Sequence, residues 1–373
     1  MNLTISKEQI INGLQAVQNV VSTRTTLPIL SNVLLEATES SINVTATDLE
    51  VGMKSSYPAE VLSTGKITVS AKKLYEIVKE LPNKLIVFLA KDNDWVEIKC
   101  GKVQFNIVGL SPEEFPYFPE VKEENLFEIE STLLRGMIEK TSYAICFDET
   151  KYNLNGIFTK VDTGDDGINS LKMVATDGHR LSIASGALKG SASSELLKGV
   201  ILPKKGVTEL KKITEEDSGT LLFGFMDNSA VIKKGDSYMV MRLVDGDFPD
   251  YNRVIPTSNT QIVTVNKEDF SHSVRRMAIL SSEKFKGIML EITSGNVRIS
   301  SSNPELGDAM EELDVIYSGD PISVRFNARY LLDVLAIAET ERVEMKFKDE
   351  LSPSIIVPEN SDSFLAVIMP MRL

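Results

Sequence analysis

Apolar residues recur at three- and four-residue spacing in six stretches of the chain, most of them behind a helix-start signal. Residues 7–21 follow Ser6, with Gln9 three positions on, and their stripe is Ile10, Leu14, Val17 and Val21. Residues 71–81 follow Ser70 and bring Leu74, Ile77, Val78 and Leu81 into phase. Residues 131–144 carry Leu134, Met137, Ile138 and Thr141. Residues 203–213 open on Pro203, whose missing N–H costs nothing in a first turn, ahead of Val207, Leu210 and Ile213. Residues 266–281 present Phe270, Val274, Met277 and Ser281, and residues 326–339 present Leu331, Val334, Leu335 and Ala338. The six starts lie 60 to 72 residues apart.

Between these stretches the period drops to two. Short alternating runs such as 42–47, 85–90, 103–108, 172–176, 230–234, 297–301 and 343–348 read as strands. One helix with three or four strands, given twice in each third, predicts an α+β architecture of three repeated domains with antiparallel sheets. Local motifs repeat in the same register. Met173-Val-Ala-Thr-Asp-Gly-His-Arg-Leu-Ser-Ile183 reads as strand, tight turn and strand. A weaker copy stands at Val44-Thr-Ala-Thr-Asp-Leu-Glu-Val-Gly-Met53, and Asp48 and Asp177 are 129 residues apart. A degenerate third copy runs from Val297 to Asp308. Phe115-Pro and Phe248-Pro mark proline-rich segments 133 residues apart. Boundaries at 1–126, 127–257 and 258–373 satisfy all of these repeats.

The composition is that of an ordinary globular chain, 42% apolar and 25% charged. The first ten residues lack the basic and apolar regions of a signal peptide, and no apolar run reaches membrane-spanning length. Two cysteines in 373 residues point to a reducing compartment, so a cytoplasmic location is expected. A net charge of −13 argues at face value against a nucleic-acid partner. The distribution changes that picture. The six helical stretches sum to +5, which leaves −18 elsewhere, and the fourth carries Lys204, Lys205, Lys211 and Lys212. Basic helices on an acidic body can meet phosphate if they share a surface; otherwise they are a solvated face.

Catalytic chemistry is hard to assemble. His179 and His272 have no metal-ligand spacing with Cys100 or Cys146, so no metal is expected. No Walker motif or dinucleotide fingerprint is present, so no cofactor is expected. Asp177, His179 and Ser182 suggest a hydrolase, but they are crowded on one turn and strand, and no nucleophile elbow accompanies them. The chain's last residues, Phe364-Leu-Ala-Val-Ile-Met-Pro-Met-Arg-Leu373, are apolar. A final strand accounts for residues 364–368; Pro370 and the methionines suit an adaptable groove.

Ala175-Thr-Asp-Gly-His-Arg-Leu181, Leu27-Pro-Ile-Leu30, Thr47-Asp-Leu-Glu50, Asp247-Phe-Pro-Asp-Tyr251, Ser282-Glu-Lys-Phe285 and Met369-Pro-Met-Arg-Leu373 together resemble the bacterial DNA polymerase III beta subunit family, the sliding clamps. The resemblance runs the length of the chain. It implies a DNA clamp fold, in which a head-to-tail homodimer closes six domains into a ring around duplex DNA, without sequence preference and without catalysis of its own. It implies tethering of the replicative polymerase for processivity. The implied partners, which bind through short hydrophobic motifs, are an alpha-type subunit of DNA polymerase III, the clamp loader, other polymerases and repair proteins; no membrane is involved.

By motif match, Arg24, Lys72, Lys73, Lys151, Lys204 and Lys205 are the candidate DNA-facing cations. Lys151 stands where relatives often carry arginine, and Asn153 replaces an aromatic seen in some. The implied peptide pocket comprises Thr176, Gly178, His179, Arg180, Leu181, Pro249, Arg253, Val254, Val367, Ile368, Met369, Pro370, Met371, Arg372 and Leu373. Its apolar members would form a groove, with arginine and histidine fixing polar groups of the peptide. Phe105, Ile279 and Leu280 match the family's dimer contact, and Lys102 facing Glu305 or Asp308 would add an ion pair.

Overall fold

The computed structural model describes residues 1–21, 26–121, 123, 126–164, 169–188, 193–215, 219–281, 286–361 and 364–371. The first third contains β1 (Asn2–Ser6), α1 (Lys7–Gln18), β2 (Asn32–Ala37), β3 (Ser41–Thr47), β4 (Val51–Pro58) and β5 (Glu60–Ser63). It continues with β6 (Gly65–Ser70), α2 (Ala71–Glu80), β7 (Leu85–Ala90), β8 (Trp95–Cys100) and β9 (Val103–Leu110). The second contains β10 (Phe127–Glu130), α3 (Ser131–Ser142), β11 (Gly156–Thr163), β12 (Asn169–Thr176), β13 (Arg180–Leu188) and α4 (Ser194–Lys198). After these come β14 (Val200–Pro203), α5 (Lys204–Glu215), β15 (Thr220–Met226), β16 (Ser229–Lys234) and β17 (Ser237–Arg242). The third contains β18 (Gln261–Asn266), α6 (Lys267–Ile279), β19 (Gly287–Thr293), β20 (Asn296–Asn303) and β21 (Gly307–Asp314). It ends with β22 (Ile322–Asn327), α7 (Ala328–Ile337), β23 (Arg342–Phe347), β24 (Ser354–Pro358) and β25 (Phe364–Ile368). Each third is therefore strand, helix and three strands, given twice, with β5 and α4 as insertions.

The helix starts follow side-chain chemistry. Ser6 Oγ accepts from Gln9 N at 3.3 Å and Ser70 Oγ from Lys73 N at 3.4 Å, satisfying N–H groups that the helix itself leaves unpaired. Asn266 and Asn327 cap α6 and α7 in the same way, so they precede those helices rather than belong to them. Pro203 closes β14 instead of opening α5. The apolar stripes face inward: Ile10, Leu14 and Val17 of α1 are buried, as are Leu331, Val334 and Leu335 of α7. Each such side chain contributes about 1.5–3 kcal/mol on burial. In the third repeat they join Phe270, Phe326, Phe347 and Phe364 in one core. No helix among the described residues is long and apolar enough to cross a membrane.

The chain forms two compact units. One comprises Met1–Thr132 and Lys205–Leu243, the other Leu133–Lys204 and Val244–Leu373, so the middle repeat contributes to both. In the first unit the strand order is β10-β15-β16-β17-β4-β3-β2-β6-β9-β8-β7-β1-β5. The second unit holds β14-β11-β12-β13-β25-β24-β23-β18 and a separate sheet β21-β20-β19-β22. All named pairings between adjacent strands are antiparallel, as in β4 with β17 and β13 with β25.

Candidate partner and nucleic-acid interfaces

The tight turn between β12 and β13 spans residues 177–179, and β13 begins at Arg180. Asp177 Oδ1 accepts from the backbone N–H of His179 at 2.9 Å and of Arg180 at 3.1 Å. Thr176 Oγ1 accepts from Gly178 N and donates to Arg180 O. Gly178 has φ +92°, which glycine adopts without a Cβ clash. The first repeat builds the same turn between β3 and β4. Asp48 Oδ1 accepts from Glu50 N and Val51 N, and Thr47 Oγ1 accepts from Leu49 N and donates to Val51 O. There Leu49 takes the left-handed position, at φ 76°.

Around the second-repeat turn, the structure brings together described pocket candidates from three segments. Met369 N donates to the His179 carbonyl at 2.9 Å, extending the β13–β25 ladder by one bond past Ile368. Met371 N donates to Arg325 O at 2.8 Å, so the segment after Pro370 is tied to β22. Leu181 and Val367 are buried in a small cluster with Val174, Ile183 and Ile355, packed against Phe158, Phe248 and Tyr251. Phe158 and Phe248 stack at 5.0 Å. His179, Pro249, Arg253, Val254 and Met369 are exposed, while Ile368 belongs to the core of the third repeat. Arg253 pairs with Asp250 at 3.0 Å. Arg372 and Leu373 lie outside the described residues.

Arg180 turns inward. It is 7% exposed, and its Nε donates to Asp177 Oδ2 at 3.0 Å. Its two terminal nitrogens donate to Asp333 Oδ2 and to the Tyr143 carbonyl, each at 2.6 Å. The guanidinium carbon lies 5.0 Å from the ring centre of Tyr143 and 4.5 Å from that of Tyr330, a cation held between two aromatic faces. Burial pushes the Tyr143 phenol well above its ordinary value, so that ring stays neutral. His179 stacks on Tyr330 at 6.4 Å.

The candidate cations differ in what holds them. Lys72 and Lys73 are exposed on α2, with Lys73 paired to Glu76 at 2.8 Å. Lys151 is exposed, and its Nζ lies 3.7 Å from where a Cβ on Gly178 would sit. Lys204 places Nζ 3.5 Å above the Phe147 ring. Lys205 donates to Asp48 Oδ2 and to the Val20 carbonyl at the end of α1. Arg24 lies outside the described residues. Phe105 is 37% exposed on β9, a strand that pairs with β8 along its length but with β6 only at Gly109 and Leu110. In the other unit, Ile279 is 75% exposed at the end of α6, and β21 pairs only with β20 among the described residues.

Three family profiles tile this chain. They are the N-terminal, central and C-terminal domains of the DNA polymerase III beta subunit, matched over residues 1–119, 128–250 and 252–372. The chain belongs to the DNA polymerase III beta subunit family. Beta sliding clamps from Pseudomonas aeruginosa and Vibrio cholerae are 36% and 33% identical to it, over the whole of both chains. The solved structure of the DNA polymerase III subunit beta from Pseudomonas aeruginosa superposes with a TM-score of 0.94 at 36% identity, covering 100% of each chain. The sliding clamp from Bartonella birtlesii bound to griselimycin gives 0.94 at 33% identity, again over 100% of each. Three clamp domains and the role of a DNA sliding clamp, a processivity factor of replication, follow from this membership.

Asp333, Tyr330 and Tyr143 were not singled out by the sequence. A signal for Asp333 does exist in the clamp repeat. The second helix of every repeat carries a cation at its second position and an acid at its sixth: Lys72 and Glu76, Lys205 and Glu209, Arg329 and Asp333. Residues four apart share a helix face.

Proposed function

We propose that two copies of this chain close head to tail into a ring that encircles duplex DNA and carries replication and repair enzymes through a peptide groove at the β13–β25 junction. One observation carries the ring. The repeats are joined twice by the same device: β4, which follows the Asp48 turn, pairs with β17, and β13, which follows the Asp177 turn, pairs with β25. Even the extra bond recurs, from Arg242 N to Glu50 O at 2.8 Å and from Met369 N to His179 O at 2.9 Å. The corresponding strands of the remaining junction are β21 and β9, and among the described residues β21 pairs on one side only, as does β9 over residues 103–108. A second copy would close that junction in the same way, giving a closed heterologous assembly in which all three kinds of junction are paired.

The basic helices supply nonspecific attraction to phosphate while the acidic remainder discourages DNA elsewhere. The proposed DNA contacts are Arg24, Lys72, Lys73, Lys151 and Lys204, while Lys205, a sixth candidate by motif, is engaged by Asp48 and the Val20 carbonyl; the domain boundaries 1–126, 127–257 and 258–373 are our working division. The groove would take the hydrophobic motifs of a polymerase subunit, the clamp loader and repair proteins. Catalysis is not proposed. Ser182 is fully buried and donates to the Lys140 carbonyl, and both carboxylate oxygens of Asp177 are engaged within the turn.

The test is retention on DNA. The loaded protein should stay on closed circular DNA in salt that strips surface-bound protein and should leave once the circle is cut. Equal retention on linear DNA would refute encirclement.

A further inference from the structure

The two internal junctions share a turn but tie it down with opposite chemistry. In the first, the cation comes from the helix: Lys205, at the second position of α5, reaches Asp48. In the second, Arg329 holds that helical position but is 76% exposed and lies 4.0 Å from Asp333 on its own helix. The cation comes from the turn instead, because Arg180 stands where the first repeat has Val51. The acid is then supplied by the helix, as Asp333 at the sixth position of α7.

The exchange alters stiffness as well as sign. A lysine is a point charge on a flexible stem, whereas a guanidinium is a planar fork that fixes direction. Arg180 uses its fork on three acceptors from three segments: Asp177 in the turn, Tyr143 beyond α3, and Asp333 on α7. Asp177 in turn holds the N–H groups of His179 and Arg180, and the His179 carbonyl receives Met369 N. Both walls of the groove, residues 177–179 and the segment at Met369, therefore depend on where Arg180 is held. Without Asp333, a buried guanidinium would keep one carboxylate and one carbonyl and lose its link to α7.

We infer that Asp333 is a positioning residue for partner binding: it touches no peptide, and it holds Arg180 so that the turn and the Met369 segment form the groove before a ligand arrives. This rests on the reading of that junction as the peptide site. A groove formed only part of the time binds with its intrinsic affinity scaled by the competent fraction, and the loss falls on association.

The experiment measures association and dissociation of griselimycin, the ligand bound in the Bartonella birtlesii relative, on the immobilised full chain. Four further proteins stand beside it: a truncation lacking residues 371–373, Asp333→Asn, Asp333→Glu and Arg180→Lys. Truncation weakens binding if the groove is the site. Asp333→Asn weakens it roughly tenfold, the scale of one charge-assisted hydrogen bond, mainly through slower association. Asp333→Glu restores most of the loss, and solution mass and retention on circular DNA stay at the starting level in Asp333→Asn. Arg180→Lys, which keeps the charge but not the fork, loses as much and carries the test if Asp333→Asn fails to fold. Unchanged affinity in Asp333→Asn or in Arg180→Lys, with the truncation weakened, overturns the inference alone. A truncation that binds as tightly as the intact chain removes the groove reading, and the inference with it.

Discussion

Lys205 points its ammonium group at Asp48 and at the Val20 carbonyl just beyond α1, so its charge is spent inside the protein. Lys73 has a partner too, Glu76, but that pair is exposed and screened. The two lysines should therefore separate in experiment. Lys205→Ala is expected to cost about 1–3 kcal/mol in urea unfolding and to leave the salt dependence of DNA binding unchanged. Lys73→Ala should change stability by less than about 0.5 kcal/mol and lower the logarithmic salt slope by about one. A lower slope for Lys205→Ala would return that residue to the DNA surface. Titration separates pairs in a similar way. Asp162 takes a hydrogen bond from Lys172 at 2.8 Å and an ion pair from Lys160 at 3.0 Å, and the Lys172 bond foremost holds its carboxyl below the ordinary value. A depressed carboxylate stabilises the fold above its unfolded pKa and loses that contribution as pH falls through the folded one. Asp162→Asn should thus be less stable than the starting protein at pH 7, and the difference should shrink as pH falls through the folded-state pKa of Asp162, read from urea midpoints. Asp48 and Asp177 were legible in the sequence as turn residues because their bonds reach only three residues ahead. The inward turn of Arg180 was not, since its partner Asp333 lies 153 residues away.

At the scale of elements, the amphipathic stripes located all six long helices, and the ends moved by one to three residues where a cap or proline decided the boundary. Asn266 and Asn327 read equally well as helical residues or caps until their side chains are seen accepting N–H bonds. Strands β1, β10 and β18 run directly into helix starts, which left four to six residues too few to show a period of their own. β21, Gly-Asp-Ala-Met-Glu-Glu-Leu-Asp, has no β-branched residue, and its pairing along β20 gives it strand geometry that its composition does not advertise. The terminal segment was more legible. β25 ends at Ile368, and Pro370 falls just beyond the ladder, where its missing N–H removes no bond. Met371 is tied to β22 through its backbone N–H on Arg325 O, a small share of the third repeat's packing, so loss of residues 371–373 should spare the fold. Deleting residues 371–373 is expected to leave the solution mass unchanged and to weaken capture of a labelled leucine- and phenylalanine-containing peptide by tenfold or more, roughly the worth of one buried apolar side chain. Peptide affinity equal to that of the intact chain would take the terminus out of the groove.

The whole molecule turns on whether its open edges are meant for each other. An edge strand with free N–H and C=O groups is a hazard unless something pairs with it or charge protects it. β9 has little protection: Val103, Phe105 and Val108 are exposed, and Lys102 stands just before it. β21 is acidic, but Glu311 is already engaged by Arg276 and by Ser273 at 2.9 Å, and the Arg276 bond foremost holds its carboxyl below the ordinary range. That leaves a less repulsive edge than its sequence suggests. Ile279 is among the most exposed large apolar residues described, and a second copy is the partner that would cover it in the proposed ring. A seam of two joined strands with apolar side chains beside them is expected to fail when one carboxylate is placed in it, because a buried unpaired charge costs several kcal/mol. Phe105→Asp should therefore halve the mass measured by light scattering at micromolar concentration. Retention on closed circular DNA should disappear with it. Peptide binding should persist, because the proposed groove draws on residues 176–181, 249–254 and 367–371 of a single chain. A Phe105→Asp protein that keeps the mass of the starting assembly would place the seam elsewhere. One that becomes a monomer yet still clings to linear and circular DNA alike would leave the basic helices as a surface patch and the ring without a function.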